Sequence, residues 1–319
     1  MISLLKDFET HLNRYLKPTQ FQTLSILIGL LNQYKQVKIE TLATYFPLPI
    51  YWTILNKKGA SNLQEQKALI RPVIKLLNKY HIMIIGDREF HSIELATWLK
   101  KEKQKRKNKI DFALRQKQGT FYHRGGKKYE KLSDIEIQRG VKQIKMGIKV
   151  TKKTGFSRHN LAIYHQRKRK NKSSEEPWYI LTSLENEIEV IKIYEQRMGI
   201  EMMFKDYKTG GYNLEGSKAN IQRLTNVILL IAMAYTNQTL KGRIIKNKGQ
   251  QKYIGRTQEK RRKTKRNSEF WIGLYGESWA NKYEKYQEEI NKIISLNSNK
   301  LTFYHRGLKA KDEIMKVYE

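Results

Sequence analysis

Apolar residues recur at helical spacing through the first 46 residues, with one run from Gln20 to Asn32 and a shorter one from Val37 to Phe46. Phe46-Pro47-Leu48-Pro49 ends that pattern, because proline removes a donor and disfavours helix in the residue before it. Ile50 to Leu55 (IYWTIL) is β-branched and aromatic, which predicts a strand. A polar loop follows, and Asn62 is placed to cap a long helix from Leu63 to about Tyr80, kinked at Pro72. His81 to Gly86 (HIMIIG) predicts a short buried strand ending at Asp87. A helix from Ser92 to about Lys100, a basic loop and a strand at Ile110 to Arg115 complete this stretch.

From Gln116 to about Thr182 the pattern changes to short strand-like pieces between Gly, Lys and Arg, clearest at Leu161 to His165 and Trp178 to Thr182. Helical spacing resumes near Glu187 and runs to Lys208, where Thr209-Gly210-Gly211 stops it. A core helix is predicted from about Lys218 to Leu240. Beyond it, Lys241 to Arg266 holds twelve Lys or Arg residues against one acidic residue, Glu259, and reads as solvated and mobile without a partner. Residues 278–296 are again helical. Strands alternating with helices indicate an α/β fold with a mixed sheet. The expected organisation is a helical piece over 1–46, a core over 47–240 with a mostly β insertion at about 116–182, and a basic, partly helical region over 241–319.

Charge narrows the function. The net charge of +33 destabilises a compact state by self-repulsion unless an anion offsets it. Nucleic acid is the commonest such partner, with a ribosome-associated protein or a merely basic surface as the plainer readings. The two N-terminal helical runs fit a helix-turn-helix, though any small helical bundle gives the same pattern. There are no cysteines, which excludes disulfides, thiol catalysis and cysteine-ligated zinc. Acidic and polar residues come too early in MISLLKDFETHL for a signal peptide. The longest apolar run, Val227 to Tyr235, falls short of the roughly 20 residues that span a bilayer. The expectation is a cytoplasmic, nucleoid-associated protein without a membrane partner.

Two features carry candidate chemistry. At about 100° per residue, Tyr194, Arg197, Glu201 and Lys208 fall within about 60° of one another on a single helix, with Ile193, Ile200 and Phe204 beside them to bury against a sheet. The plain reading is a solvated face with Arg197 and Glu201 as an ion pair. The second feature is Gly86-Asp87-Arg88-Glu89-Phe90, a carboxylate at the end of a short strand, where α/β folds place their sites. Its plain reading is a capping aspartate.

Together the spacing Tyr-x-x-Arg-x-x-x-Glu-x-x-x-x-x-x-Lys and the upstream GDREF resemble one subgroup of DDE-type insertion-sequence transposases, and PIYWTILNKKGASN resembles the stretch that precedes the second aspartate there. The resemblance covers most of residues 47–240. It implies an RNase H-like core with a β insertion before the glutamate helix. It also implies two divalent cations, Mg²⁺ or Mn²⁺, held by two aspartates and a glutamate for phosphodiester cleavage and strand transfer. Asp87 and Glu201 would be catalytic metal ligands. Tyr194, Arg197 and Lys208 would contact double-stranded DNA at the terminal inverted repeats, with the protein acting as a homodimer.

One part of the pattern is missing. The family's first aspartate belongs on the first core strand, yet no aspartate occurs from Phe8 to Gly86. LATYFPLPI resembles the end of the N-terminal domain in this subgroup and LPIYWTIL its third core strand, and here the two share a single Leu48-Pro49-Ile50. That arrangement indicates an internal deletion carrying away the first two core strands. The expected consequence is a transposase by descent that is catalytically defective. An active member with a substitute ligand and a non-enzymatic protein that recognises transposon ends are the alternatives.

Overall fold

The computed structural model describes residues 49, 51–107, 109–123, 125, 128–151, 157–167, 176–217, 220–254, 267–296 and 298–318. The helical piece expected over 1–46 lies outside these. The described chain divides into two compact units, one over 51–202 and the other from Met203 onward.

The first unit is built on a seven-stranded mixed sheet. Its strands are β1 (Ile82–Gly86), β2 (Ile110–Arg115), β3 (Phe121–His123), β4 (Glu130–Lys131), β5 (Lys142–Val150), β6 (Arg158–Tyr164) and β7 (Trp178–Thr182), in the spatial order β1-β2-β7-β6-β5-β3-β4. β1 and β2 pair in parallel, Ile82 opposite Ile110 and Gly86 opposite Leu114, and every other pairing is antiparallel. The parallel pair needs a crossover, which α2 (Ile93–Lys105) supplies. The expected mixed α/β architecture with flanking helices is therefore present, consistent with an RNase H-like transposase domain. The β pieces of residues 116–182 extend the same sheet through β7.

Side-chain alternation sorts this sheet into two cores. Ile110, Phe112 and Leu114 of β2, with Leu161, Ile163, Tyr179 and Leu181, face one layer, where Ile70 and Ile74 of α1 (Leu63–Leu76) and Leu95 and Leu99 of α2 cover them. Ala113, Ala162, Trp178 and Ile180 face the other, under Val190, Ile191 and Tyr194 of α3 (Glu187–Glu195). The period of two in a strand is what lets one sequence feed both faces. Asn62 caps α1 as expected, in a capping box with Glu65, and Pro72 lies inside the helix.

Several elements depart from expectation. Residues 51–55 form no strand, and Tyr51 is exposed; the β-branched composition suits a strand, but among the described residues β1 pairs only with β2, so no ladder includes them. The first helix stops at Leu76 rather than Tyr80. The basic loop after Lys100 is helical to Lys105, since Lys, Glu and Gln are good helix formers and charge does not oppose a solvated helix. Residues 241–254, expected to be mobile, are largely helical, with Ile245 and Ile254 buried; residues 255–266 lie outside the described set.

The second unit is helical: α5 (Ile221–Asn247), the short α6 (Gln251–Ile254), α7 (Glu269–Lys285), α8 (Gln287–Ser295) and α9 (Leu301–Met315). Ile231, Tyr235 and Phe270 gather with Met203 and Tyr207 in one cluster, and Ile245, Ile254, Ile272, Ala280 and Ile314 in another. α5 and α7 meet backbone to backbone at Gly242 and Gly273. A Cβ on Gly242 would lie 1.8 Å from the Glu269 carbonyl oxygen, and one on Gly273 would lie 1.8 Å from that of Gln238.

Two outcomes follow from this packing. Gly242→Ala gains about 1 kcal/mol of helix propensity but forces two backbones apart, an overpacking cost at or above about 3 kcal/mol, so chemical denaturation should show a net loss of about 2 kcal/mol. Gly119→Ala, with nothing within 4 Å of its Cβ, should change stability little in the same assay. His159 is buried in β6 against Ser157 and Thr97, and burial, with Lys100 nearby, pushes its pKa down from 6.5 to about 4. The unfolded chain then takes up a proton between those values that the folded chain refuses. Stability is complete above pH 6.5 and falls as pH drops toward 4, by about 2 kcal/mol between pH 7 and pH 5. Urea melts of His159→Gln should lack that part of the pH dependence.

Candidate functional site

Gly86 ends β1, and its lack of a side chain is required: a Cβ there would meet Phe90 Cβ at 2.6 Å and Leu114 Cδ2 at 2.8 Å. The chain therefore folds straight into a tight turn over Arg88–Phe90, with Asp87 at its head and its Oδ1 accepting from the Glu89 amide at 2.9 Å. The capping role is real. The turn is fixed from beneath by Glu89, whose Oε1 accepts from the Ser61 amide at 2.7 Å and from its hydroxyl at 2.5 Å. Those bonds hold the Glu89 carboxyl below the usual range.

The helix expected to run unbroken from Glu187 to Lys208 is in three pieces. α3 ends at Glu195, α4 spans Met198–Lys205, and a wider π-type turn covers Asp206–Gly210. Between α3 and α4 the amides of Gln196, Arg197, Gly199 and Ile200 each bond the carbonyl three residues back. Such bonds tighten the backbone to about 120° per residue from about 100°, so the single-face register does not carry through. Gly199, costing about 1 kcal/mol in a helix, favours the break here. The apolar residues turn with it: Ile193 is half-buried, while Ile200 and Phe204, expected to bury, are 41% and 53% exposed.

What the first unit gathers at the Asp87 end of β1 and β2 is a mixed cluster. Tyr194 is 1% exposed and packs its ring edge-on to Trp178, centroids 5.1 Å apart. Its hydroxyl is buried, and the Arg115 guanidinium is the group that reaches it. Burial raises its pKa against the pull of Arg197 and Arg115, and the charge of Asp87 adds to the rise. The Arg197 guanidinium lies 5.8 Å from the Tyr194 ring and pairs with Glu201 at 2.5 Å. Burial works against that guanidinium, but Glu201, Tyr194 and Asp87 together raise its pKa. Arg115, at the end of β2, sits 5.9 Å over Trp178, and burial lowers its pKa. Arg88 pairs with Glu176. The sequence-predicted Asp87, Tyr194, Arg197 and Glu201 thus share one electrostatic neighbourhood. Lys208 is exposed and belongs to the second unit.

Sequence reasoning missed Arg115 and Glu176. Arg115 had a readable signal, since it closes the strand parallel to β1, and the carboxyl ends of parallel strands are where α/β sites gather. Glu176 lies in a long polar stretch with none.

The donor set does not fit two divalent cations. Asp87 and Glu201 are the carboxylates in the expected positions; Asp87 is engaged by its turn and Glu201 by Arg197. Three guanidinium groups, Arg88, Arg115 and Arg197, face three carboxylates, Asp87, Glu176 and Glu201, so the cluster carries little net attraction for a dication. Among the described residues no three acidic or histidine side chains are grouped as a metal site requires. None of the described helices is long and apolar enough to cross a membrane.

No curated protein sequence matches the chain. A family model described as a transposase DDE domain matches residues 53–237, more than half of the 319 residues, and takes in both Asp87 and Glu201. DNA is the substrate that this family implies, and divalent metal ions are its general requirement. The chain therefore belongs to the DDE transposase family.

Proposed function

We propose that this chain is a transposase by descent that has kept DNA recognition and lost strand cleavage. The observation that carries the reading is the donor set: two carboxylates where the chemistry needs three, each already engaged by the protein. An internal deletion at Leu48-Pro49-Ile50 accounts for the missing aspartate and for a β1 that pairs on one side only among the described residues. A longer copy in the same genome, with an extra segment at that point, is what this origin requires.

In this reading Asp87 and Glu201 are the surviving metal ligands of the subgroup with the Tyr-Arg-Glu-Lys spacing. Arg197 and Lys208 contact the phosphates of transposon-end DNA, as a dimer on terminal inverted repeats. Tyr194, being buried, acts through Arg197, whose guanidinium its ring orients. The division into a DNA-binding piece over 1–46, a core over 47–240 and a basic region over 241–319 belongs to the same proposal. A net charge of +33 favours the companion reading, a non-enzymatic protein that binds transposon ends and interferes with intact enzyme.

Loss of a group that merely supports a metal ligand costs about 10- to 100-fold in activity, so loss of a ligand itself should exceed about 100-fold. Incubation with end-bearing DNA and Mg²⁺ or Mn²⁺ should give no more nicked product than the Glu201→Gln variant. Metal-dependent nicking abolished by Glu201→Gln would sink the proposal. Binding to the same DNA should persist without metal and weaken steeply with salt.

A further inference from the structure

The opposite end of the sheet holds a second polar feature. Asp87 follows the carboxyl end of β1, whereas Asp111 lies four residues before Arg115 in the parallel β2, about 13 Å away along the strand. Beside Asp111, a cavity of about 290 Å³ opens between α2, the start of β6 and the end of β7, lined by Lys100, Lys103, Arg158, Asn160, Ser183 and Glu185.

Its charges are not equal in status. Lys103 is committed to Asp111 at 2.6 Å. Lys100 instead donates to the Arg158 carbonyl at 3.0 Å, and Arg158 Nη1 donates to the Gly147 carbonyl at 3.2 Å. Neutral acceptors fix these two cations in place without cancelling their charge. An ammonium has three donors and a guanidinium five, so among the described residues most of both remain for another oxygen ligand. His159 adds no charge at neutral pH, since burial and Lys100 keep it unprotonated. Glu185 offsets one positive charge of the two. Lys100 stands on α2 and Arg158 at the start of β6, while Ser183 and Glu185 line the cavity from the turn after β7.

We propose that this cavity is a second phosphate site, binding a phosphoryl oxyanion through Lys100 and Arg158, separate from the Asp87–Glu201 cluster. The oxyanion can be a backbone phosphate of DNA or a free phosphate. Failure of this site would leave the reading at the Asp87 end standing, because no residue is shared between them.

The test compares the full chain with Lys100→Gln/Arg158→Gln, and with Gln104→Glu, which places a negative charge on the exposed rim of the same cavity. Two measurements are needed: DNA affinity across a salt series, and amide resonances of Asn160 and Ser183 during titration with inorganic phosphate. If the backbone of DNA is the ligand, the slope of log affinity against log salt should fall by about 2 in the double variant. If free phosphate is the ligand, that slope should hold, while the phosphate-induced shifts seen in the parent chain vanish. Gln104→Glu should weaken the same signal and decides the matter if the double variant does not fold. An unchanged salt slope together with no phosphate-induced shift in the parent chain overturns the proposal.

Discussion

The Asp111 carboxylate is the interaction on which the first unit depends. It is 3% exposed on β2, the strand between β1 and β7, and three donors from three segments reach it: Lys103 of α2 and Ser183 after β7 on one oxygen, His81 before β1 on the other. Burial alone would favour its neutral form, yet these bonds hold its pKa below the ordinary value. A buried charge with full partners ties its neighbours at fixed positions, and removing any one partner leaves an expensive orphan. Here the ties fix where β1 and β7 lie against β2. Asp87, Arg115 and Trp178 therefore all arrive at one end of the sheet.

The fold was legible wherever local physics decided it. The strands at 82–86, 110–115 and 178–182 and the Asn62 cap follow from side-chain alternation and from an amide oxygen at a helix start. Residues 51–55 show the limit: their composition suits a strand, but a strand exists only with a neighbour to bond, and composition says nothing of neighbours. The helix near residue 200 shows another. Periodicity counts angles as if each residue turned equally, while one glycine and four bonds to the carbonyl three residues back reset the phase between Tyr194 and Glu201.

The candidate site was half legible. Its carboxylates stood out because a strand end and a family spacing marked them. Arg115 was hidden inside an apolar strand, and Glu176 in a featureless polar run. The structure also favours the plainer role for two chosen groups: Asp87 does cap a turn, and Arg197 does pair with Glu201. Such roles do not exclude chemistry, since a carboxylate that caps a turn or pairs with an arginine keeps lone pairs for other partners.

Consider finally the outer side of β1. Among the described residues its ladder is filled on one side alone, and a row of bare amides and carbonyls on half-buried Met83, Ile84 and Ile85 is a template for a like strand from another molecule. The strong positive charge opposes that encounter only while it is felt, and at about 0.1 M salt its reach is about 10 Å. Colloidal behaviour and DNA affinity thus answer to the same ions. Conditions that strip the chain from nucleic acid during purification also remove the repulsion that keeps its copies apart.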